Sequence, residues 1–192
     1  MPGSVIQWFR SLVAGKDGTT ANQLYVRLVE QARSPAFYLE ASVPDTIDGR
    51  FDMIAIHMFL VMHRLKNLGS EVESFSQQLF DEMFADMDRG LREMGVGDMG
   101  VGRRVRAMGK AFMGRVEAYD EAAEDPDLLK QALARNLYRG EDVDEASLAS
   151  MAGYLAQEMD GLAAQDADAI MNGQVSFGSL QAVTANDEGA GA

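Results

Sequence analysis

The chain has 192 residues, no cysteine and a formal net charge of −13. The absence of cysteine excludes disulfides, thiolate zinc sites, iron–sulfur clusters and cysteine nucleophiles. Hydrophobic residues make up 47% and charged residues 24%, which is ordinary for a globular protein and excludes a chain that is disordered throughout. The longest apolar run, Met53–Met62, is about half as long as a membrane span requires, so no transmembrane helix is predicted.

Helical periodicity runs through the chain, and no stretch alternates apolar and polar residues as a sheet strand would. The first half is predicted to hold a short amphipathic helix over Val5–Val13, a helix over Thr20–Arg33, an irregular connector at about 34–48 and a helix over Gly49–Leu68. Asp48 is predicted to cap the last of these. From Phe51 to Met62 only Asp52 and His57 are polar, so this helix is predicted to be the buried centre of the fold.

The second half continues in the same way. A capping box at Ser70–Glu73 is predicted to open a long amphipathic helix that ends at Gly95. There follow a four-glycine loop over Gly95–Gly102, helices over Arg103–Glu124, from Asp125-Pro126 to Gly140 and from Asp144 to Leu162, and a short turn at Asp166–Asn172. The expected fold is all-α: a single globular domain of about seven helices over residues 1–180, built around the central helix at about 49–68. A disordered acidic tail is expected at 181–192.

Two motifs suggest cofactor or metal binding, but their contexts argue against it. The hexapeptide at 95–100 matches G-x-G-x-x-G, yet a helix precedes it where dinucleotide binding requires a strand. His57 and His63 are six residues apart, about 240° around a helix, so they cannot share one metal ion. His57 is interpreted as a hydrogen-bonded core histidine, with a haem-ligand role left open. No cofactor is predicted.

The charge is polarised along the chain. Residues 1–116 carry 14 basic and 14 acidic residues, whereas residues 117–192 carry 3 and 16. This acidity argues against nucleic-acid binding, but a local basic patch can still meet lipid headgroups, ribosomal RNA or acidic loops of a client. The predicted docking face beside the glycine loop consists of Arg92, Arg103, Arg104, Arg106 and Lys110. Met83 and Met87 are added to it, because flexible thioether side chains suit an apolar client.

Several segments, taken in order, resemble the ubiquinol–cytochrome c chaperone family over about residues 20–125. They are Pro44-Asp45-Thr46-Ile47-Asp48-Gly49-Arg50-Phe51-Asp52 with His57 and Leu60 behind it, Phe80-Asp81-Glu82-Met83-Phe84-Ala85-Asp86-Met87-Asp88, and Leu91-Arg92-Glu93-Met94-Gly95-Val96-Gly97-Asp98. Arg104, Met108, Phe112, Arg115 and Tyr119 continue the pattern. Residues 126–180 are interpreted as an acidic helical extension outside this resemblance.

The resemblance implies an assembly chaperone without enzymatic activity. Mitochondrial members of the family assist complex III assembly, hold newly made cytochrome b, and act with a small partner protein near the ribosome exit. No Arg-rich, acid-poor transit segment opens this sequence, so a bacterial member of the alphaproteobacterial kind is expected, in the cytoplasm. Cytochrome b is the expected client. Contacts with a ribosome, a small helper protein or the cytoplasmic face of the inner membrane stay open, and no sequence-specific nucleic acid is expected.

Part of the resembling sequence is expected to hold the fold rather than to bind. Asp45, Asp48 and Asp98 are interpreted as turn or cap residues, Gly95 and Gly97 as the turn between two helices, and Arg50, Asp52 and His57 as a buried polar network. Other classes remain as alternatives: a helical module that binds haem or another small apolar ligand, and a structural subunit of complex III. An enzyme is disfavoured, because the sequence offers no nucleophile paired with a base.

Overall fold

The computed structural model describes residues 18–66, 68–140 and 142–181, and within these ranges every regular element is a helix. They are α1 (Gly18–Ala32), α2 (Pro35–Leu39), α3 (Ile47–Leu65), α4 (Ser70–Glu93), α5 (Asp98–Ala122), α6 (Pro126–Asn136), α7 (Glu145–Ala163) and α8 (Ala167–Met171). The all-α prediction is confirmed. The predicted helix at Val5–Val13 lies outside the described residues, and so does the predicted tail at 181–192 except for residue 181.

The centre of the fold is α3, as the sequence predicts. Between Phe51 and Met62 every side chain is buried except that of Ile54, which is partly buried. The helix is surrounded by α1, α5 and α7, while α1 also lies on α4, and α6 packs between α5 and α7. A helix that is apolar on all sides is stable only when neighbours cover every face, which explains why the three helices gather around it. Within the described part of the chain, none of the helices combines the length and the hydropathy that a membrane span requires.

The start of α3 differs from its prediction. Thr46, not Asp48, is the N-cap, and its hydroxyl accepts a hydrogen bond from the Gly49 amide at 3.0 Å. Asp48 lies inside the first turn, where a carboxylate is favoured by the helix dipole. The connector before it is also less irregular than expected, because Pro35 opens the short helix α2. Pro at the first helical position loses no hydrogen bond, so this turn can form between α1 and α3.

Two more boundaries are corrected by the structure. The N-cap of α4 is Gly69, with φ +105°, and not Ser70 as the predicted capping box requires. The four-glycine loop is shorter than predicted, because α5 begins at Asp98 and takes Gly100 and Gly102 into its first turns. Glycine has a low helix propensity, but the burial of Val101 in that turn supplies enough packing energy for the helix to form there.

The predicted caps of the last two long helices are confirmed. Asp125 accepts hydrogen bonds from the amides of Asp127 and Leu128, with Pro126 at the first position of α6. Asp144 accepts one from the amide of Ser147 at the start of α7. The end of α6 is earlier than predicted, at Asn136 rather than Gly140, because the chain turns left-handed at residues 139 and 140.

Candidate binding surface

The candidate surface is built on the antiparallel pair of α4 and α5. Gly95 ends α4 with φ +80°, a conformation that costs glycine nothing, and the Val96 amide returns to the Leu91 carbonyl at 3.1 Å. Gly97 is the N-cap of α5. Farther along, a Cβ on Gly109 would lie 2.7 Å from the ring of Phe84, so this glycine lets the two helices approach closely. The exposed face of α5 is therefore fixed relative to α4.

Arg92 holds the tip of this pair together. Its guanidinium donates from Nε to Asp88 at 2.6 Å, one turn earlier on α4, and from Nη1 to Asp98 at the start of α5. These two carboxylates raise the pKa of Arg92 above its ordinary value. The predicted docking cation Arg92 is thus engaged within the chain, and its partner Asp98, predicted as a cap residue, is the ion-pair anchor in the first turn of α5.

The other four predicted docking cations are exposed and have no ion-pair partner among the described residues. They are Arg103, Arg104, Arg106 and Lys110. Arg115, one turn farther along α5, is different: it turns inward and pairs with Asp52. The first half of α5 therefore presents uncompensated positive charge on a protein whose net charge is −13.

A shallow groove of about 520 Å³ lies beside these cations, between the start of α3 and the α4–α5 pair. Its apolar wall comes from Ile47, Leu91, Ala107 and Met108, and Arg104 stands at its edge. Ile47 is 57% exposed although it is a large aliphatic side chain. An exposed apolar groove with a cation at its rim has the chemistry to cover an apolar segment that carries an acidic residue. We call these residues, with Thr46 and Asp48, the α3–α5 groove.

The two methionines predicted to join the docking face lie elsewhere. Met83 is completely buried, and Met87 is partly buried against the core. They face inward because α1 and α5 cover the apolar stripe of α4 on which both lie. The methionine that does line the groove is Met108, on α5. Exposed Ile47 and the groove residues Leu91 and Ala107 were missed by the sequence analysis, since nothing in the periodicity shows which apolar residues remain uncovered.

A buried ion-pair centre fixes α3 to the groove's other wall. The carboxylate of Asp52 is fully buried and lies 2.7 Å from Nη2 of Arg115 on α5 and 3.0 Å from Nη2 of Arg139. Arg139 follows α6 and has a φ of +57°, which is unusual for a residue other than glycine. This turn places its guanidinium against Asp52 and also 3.1 Å from the carboxylate of Asp48. Three segments distant in sequence are therefore joined at one carboxylate.

Burial raises the pKa of Asp52 to about 6, although Arg115 and Arg139 act in the opposite direction. A folded-state pKa above the ordinary value means that protons favour the folded state. The contribution of this group to stability is therefore fully present below its unfolded pKa and is lost as pH rises through about 6.

His57 forms a separate hydrogen-bonded chain in the core. Its Nδ1–H donates to the Met53 carbonyl at 2.8 Å, so Nε2 is the acceptor, and the Tyr154 hydroxyl donates to it at 2.8 Å. That hydroxyl in turn accepts from the side-chain amide of Gln31 at 3.1 Å. Both ring nitrogens are engaged, so ligation of haem iron by His57 would require breaking one of these bonds. This geometry is that of a hydrogen-bonded core histidine, as His57 was interpreted from the sequence.

We expect the His57 imidazole to remain neutral well into acid. Burial lowers its pKa to about 4, and protonation would turn Nε2 into a donor facing a hydroxyl that already donates to it. Because the folded pKa lies below the ordinary value of 6.5, the stability it contributes is present above pH 6.5 and lost as pH falls toward 4. An NMR titration of the ring carbon and proton shifts should give a midpoint near pH 4. A midpoint near 6.5 would contradict the buried, bonded geometry.

The expected network of Arg50, Asp52 and His57 does not form. Arg50 is exposed and pairs with Asp45 at 2.7 Å, outside the core. Asp52 and His57 are five residues apart, about 140° around the helix, so they face different neighbours and bond to different elements. Of the expected structural residues, Asp45 and Arg50 make one surface pair, and Gly95, Gly97 and Asp98 make the α4–α5 turn.

The opposite end of the molecule is acidic. An open groove of about 790 Å³ lies between the end of α3, the end of α5 and α7. Asp120 accepts a hydrogen bond from Lys66 at 2.6 Å, and its carboxylate lies 2.8 Å from Nδ1 of His63. Its other acidic lining residues, Glu121, Glu124 and Asp160, have no ion-pair partner among the described residues. The polarisation seen along the sequence is thus also a polarisation across the surface.

A helical fold with an exposed apolar groove and a one-sided basic face has the features of a protein that binds a larger partner. The chain belongs to the ubiquinol-cytochrome C chaperone family, whose model matches residues 39–177. The match continues past residue 125, where the resemblance noted in the sequence stopped. The members of this family are assembly chaperones of ubiquinol–cytochrome c reductase, and the protein is one of them.

Relatives and a solved structure agree with this assignment. The chain is 25% identical over 157 residues to ubiquinol-cytochrome-c reductase complex assembly factor 1 of Xenopus laevis, covering 81% of this chain and 78% of that protein. It is 25% identical to the Mus musculus factor over 88% of this chain and 62% of the mouse protein, so it spans less than two thirds of that relative. The crystal structure of the Cbp3 homolog from Brucella abortus matches with a TM-score of 0.74 and 32% identity, over 92% of this chain and 97% of that one.

Proposed function

We propose that this protein is a non-enzymatic chaperone that binds newly made cytochrome b and holds it during the assembly of ubiquinol–cytochrome c reductase. It acts in the bacterial cytoplasm, at the cytoplasmic face of the inner membrane. Family membership supports the assembly role, and the finer assignment of client is the proposal.

The observation that carries the proposal is the α3–α5 groove. An apolar segment of a membrane protein needs temporary cover before it meets lipid or its partner subunits, and the groove offers exposed Ile47 beside Leu91, Ala107 and Met108. Arg104 at the rim can pair with an acidic residue next to such a segment, which would select register and orientation. The groove is open to solvent, so a bound segment can leave when assembly proceeds.

The test is complementation of a deletion strain by a groove variant, Ile47→Asp with Ala107→Asp. Both side chains are exposed and Ile47 is in the first turn of α3, so the changes place charge in the groove without burying it. We expect at least a roughly tenfold loss of the cytochrome b signal in reduced-minus-oxidised membrane spectra, because a charge left facing an apolar segment weakens binding by that order. Quinol:cytochrome c reductase activity should fall in parallel.

The matched control is Leu128→Asp with Ala146→Asp, which changes the charge equally at exposed positions near the starts of α6 and α7. It should restore cytochrome b to the wild-type level. Full complementation by the groove variant, at wild-type protein abundance, would refute the groove as the client site. Normal cytochrome b in the deletion strain itself would refute the proposed function.

A further inference from the structure

A second exposed feature of α5 is separate from the groove. Met99, Arg103, Arg106 and Lys110 follow one another at spacings of four, three and four residues, so they lie within about 60° of arc on one side of the helix. Arg104, which lines the groove, projects from another side. We call Met99, Arg103, Arg106 and Lys110 the α5 stripe.

The apolar end of the α5 stripe is fully presented to solvent. Met99 is 94% exposed, and Met94 is also exposed on the other side of the α4–α5 turn. Two large flexible apolar side chains at the tip of a helical pair, next to a row of cations, resemble the arrangement that places apolar side chains among lipid headgroups while basic residues meet phosphates. The four residues between these two methionines are Gly95, Val96, Gly97 and Asp98, none of which has a long side chain.

The charges around the α5 stripe decide which face of the protein can approach an anionic surface. Asp98, next to Met99, is engaged by Arg92, and Glu93 lies exposed beside Met94 at the end of α4. Glu117 lies on the same side of α5 two turns after Lys110, and from there the surface becomes acidic. A protein with net charge −13 is repelled by an anionic surface unless its positive end faces that surface. The α5 stripe is the end that can approach.

We propose that the α5 stripe docks this protein on a bilayer rich in anionic lipids, with Arg103, Arg106 and Lys110 against the phosphates and Met99 among the headgroups. A bilayer is favoured over RNA because the α5 stripe carries no aromatic side chain on which a base could stack. A long polyanion would also extend over the acidic end, whereas a flat surface meets one face only. This docking orients the α3–α5 groove next to the membrane in which an apolar client would finally reside.

The test is co-sedimentation of the full chain with vesicles of phosphatidylglycerol and phosphatidylcholine, compared with phosphatidylcholine alone. We expect binding to the anionic vesicles only, and weaker binding as salt rises from about 50 to 500 mM, because screening shortens the reach of the charges. The variant R103E/R106E/K110E should bind at least about 100-fold more weakly, since each cation near an anionic membrane contributes roughly fivefold. Met99→Ser should lower the residual binding at high salt.

The matched control is R27E/R33E/R135E, which makes the same change in net charge at exposed cations without ion-pair partners among the described residues. It should keep most of the binding. An equal loss of vesicle binding in both triple variants would overturn the α5 stripe as the docking site and leave net charge as the cause. Binding of the wild-type protein to neutral vesicles at the same level as to anionic ones would also overturn it. Competition by inorganic phosphate at millimolar concentration would indicate a free-phosphate site instead, and tight binding to single-stranded RNA lost in the same variant would indicate RNA.

Circular dichroism and thermal unfolding check that each variant is folded. The four substituted residues of the α5 stripe are exposed, so unfolding temperatures within a few degrees of wild type are expected. The assay contains no client and no respiratory enzyme. Failure of vesicle binding therefore overturns the α5 stripe alone, while failure of the deletion-strain experiment overturns the proposed chaperone function alone.

Discussion

Replacing Asp52 with alanine is expected to lower the free energy of unfolding by about 3–5 kcal/mol, the cost of leaving a buried charge without its partner. The Arg115 side chain is only 12% exposed and would lose the carboxylate that lies 2.7 Å away. Arg139 would lose one of its two acidic partners and with it part of the compensation for its left-handed backbone. Urea denaturation, with the slope compared between proteins, measures the change.

A natural control for this prediction is the ion pair of Asp45 and Arg50, which has the same 2.7 Å separation at the surface. Asp45 is 58% exposed, so water screens the pair, and Asp45→Ala should change the free energy of unfolding far less than Asp52→Ala does. The comparison separates burial from ion-pair geometry. Similar losses in the two variants would mean that Asp52 is not the anchor of α3, α5 and the turn after α6 that its contacts indicate.

The second large effect is expected at Gly49, where α3 begins against the preceding turn. A Cβ at this position would lie 2.0 Å from the Pro44 carbonyl oxygen; that oxygen belongs to the backbone and the backbone also fixes the direction of a Cβ, so neither atom can rotate away. Gly49→Ala must push the turn from the helix and break the bond between the Gly49 amide and the Thr46 hydroxyl. Overpacking together with loss of the cap should cost about 2–4 kcal/mol, measured by the same denaturation.

Gly153→Ala supplies the control with the opposite sign. This glycine is in the middle of α7, exposed, and a Cβ there would meet nothing within 4 Å. Alanine should stabilise the helix by about 0.5–1 kcal/mol, because it removes the conformational freedom of glycine in the unfolded chain. If Gly49→Ala were also neutral or stabilising, the close approach of α3 to Pro44 would not be the contact that fixes the start of the central helix.

These contacts connect the core to the binding surface. Asp52 links the first turns of α3 to α5 through Arg115, and Gly49 sets where α3 starts, one residue after Asp48 and two after Ile47. Ile47 and Asp48 form one wall of the α3–α5 groove, and α5 forms the other. A groove bounded by one central helix and one clamped hairpin keeps its shape without a client, which reduces the ordering cost of binding.

The sequence allowed the helices and the central element to be predicted with few errors. The apolar run from Phe51 to Met62 could only belong to a helix covered on every side, and α3 is covered in that way. Asp125 and Asp144 were recognised as caps because a short acidic side chain before a helix can bond to amides only one turn away. Each of these inferences depended on contacts within a few residues along the chain.

The errors lie where distant residues compete. Asp48 has the chemistry of a cap, but Thr46 occupies that position and Asp48 instead pairs with Arg139, 91 residues later. Gly100 and Gly102 predict a loop, yet packing of Val101 extends α5 through them. Met83 and Met87 share an apolar stripe that a groove could also use, but α1 and α5 bury it. Local chemistry permits both outcomes in each case, and tertiary contacts select one.

Periodicity, composition and net charge are properties of the chain that folding does not change, so the class of fold, the buried helix α3, the polarised charge and the cations of α4 and α5 could be predicted without the structure. Which of those cations stay free depends on how the helices pack: Arg92 on α4 is paired with Asp88 and Asp98, and Arg115 on α5 is paired with Asp52, whereas the cations between them have no ion-pair partner in the described part of the chain. The packing also decided that Ile47 and Met108 meet in one groove. Both outcomes depend on which helices pack together, and that choice is made by the sum of many weak contacts across the whole fold.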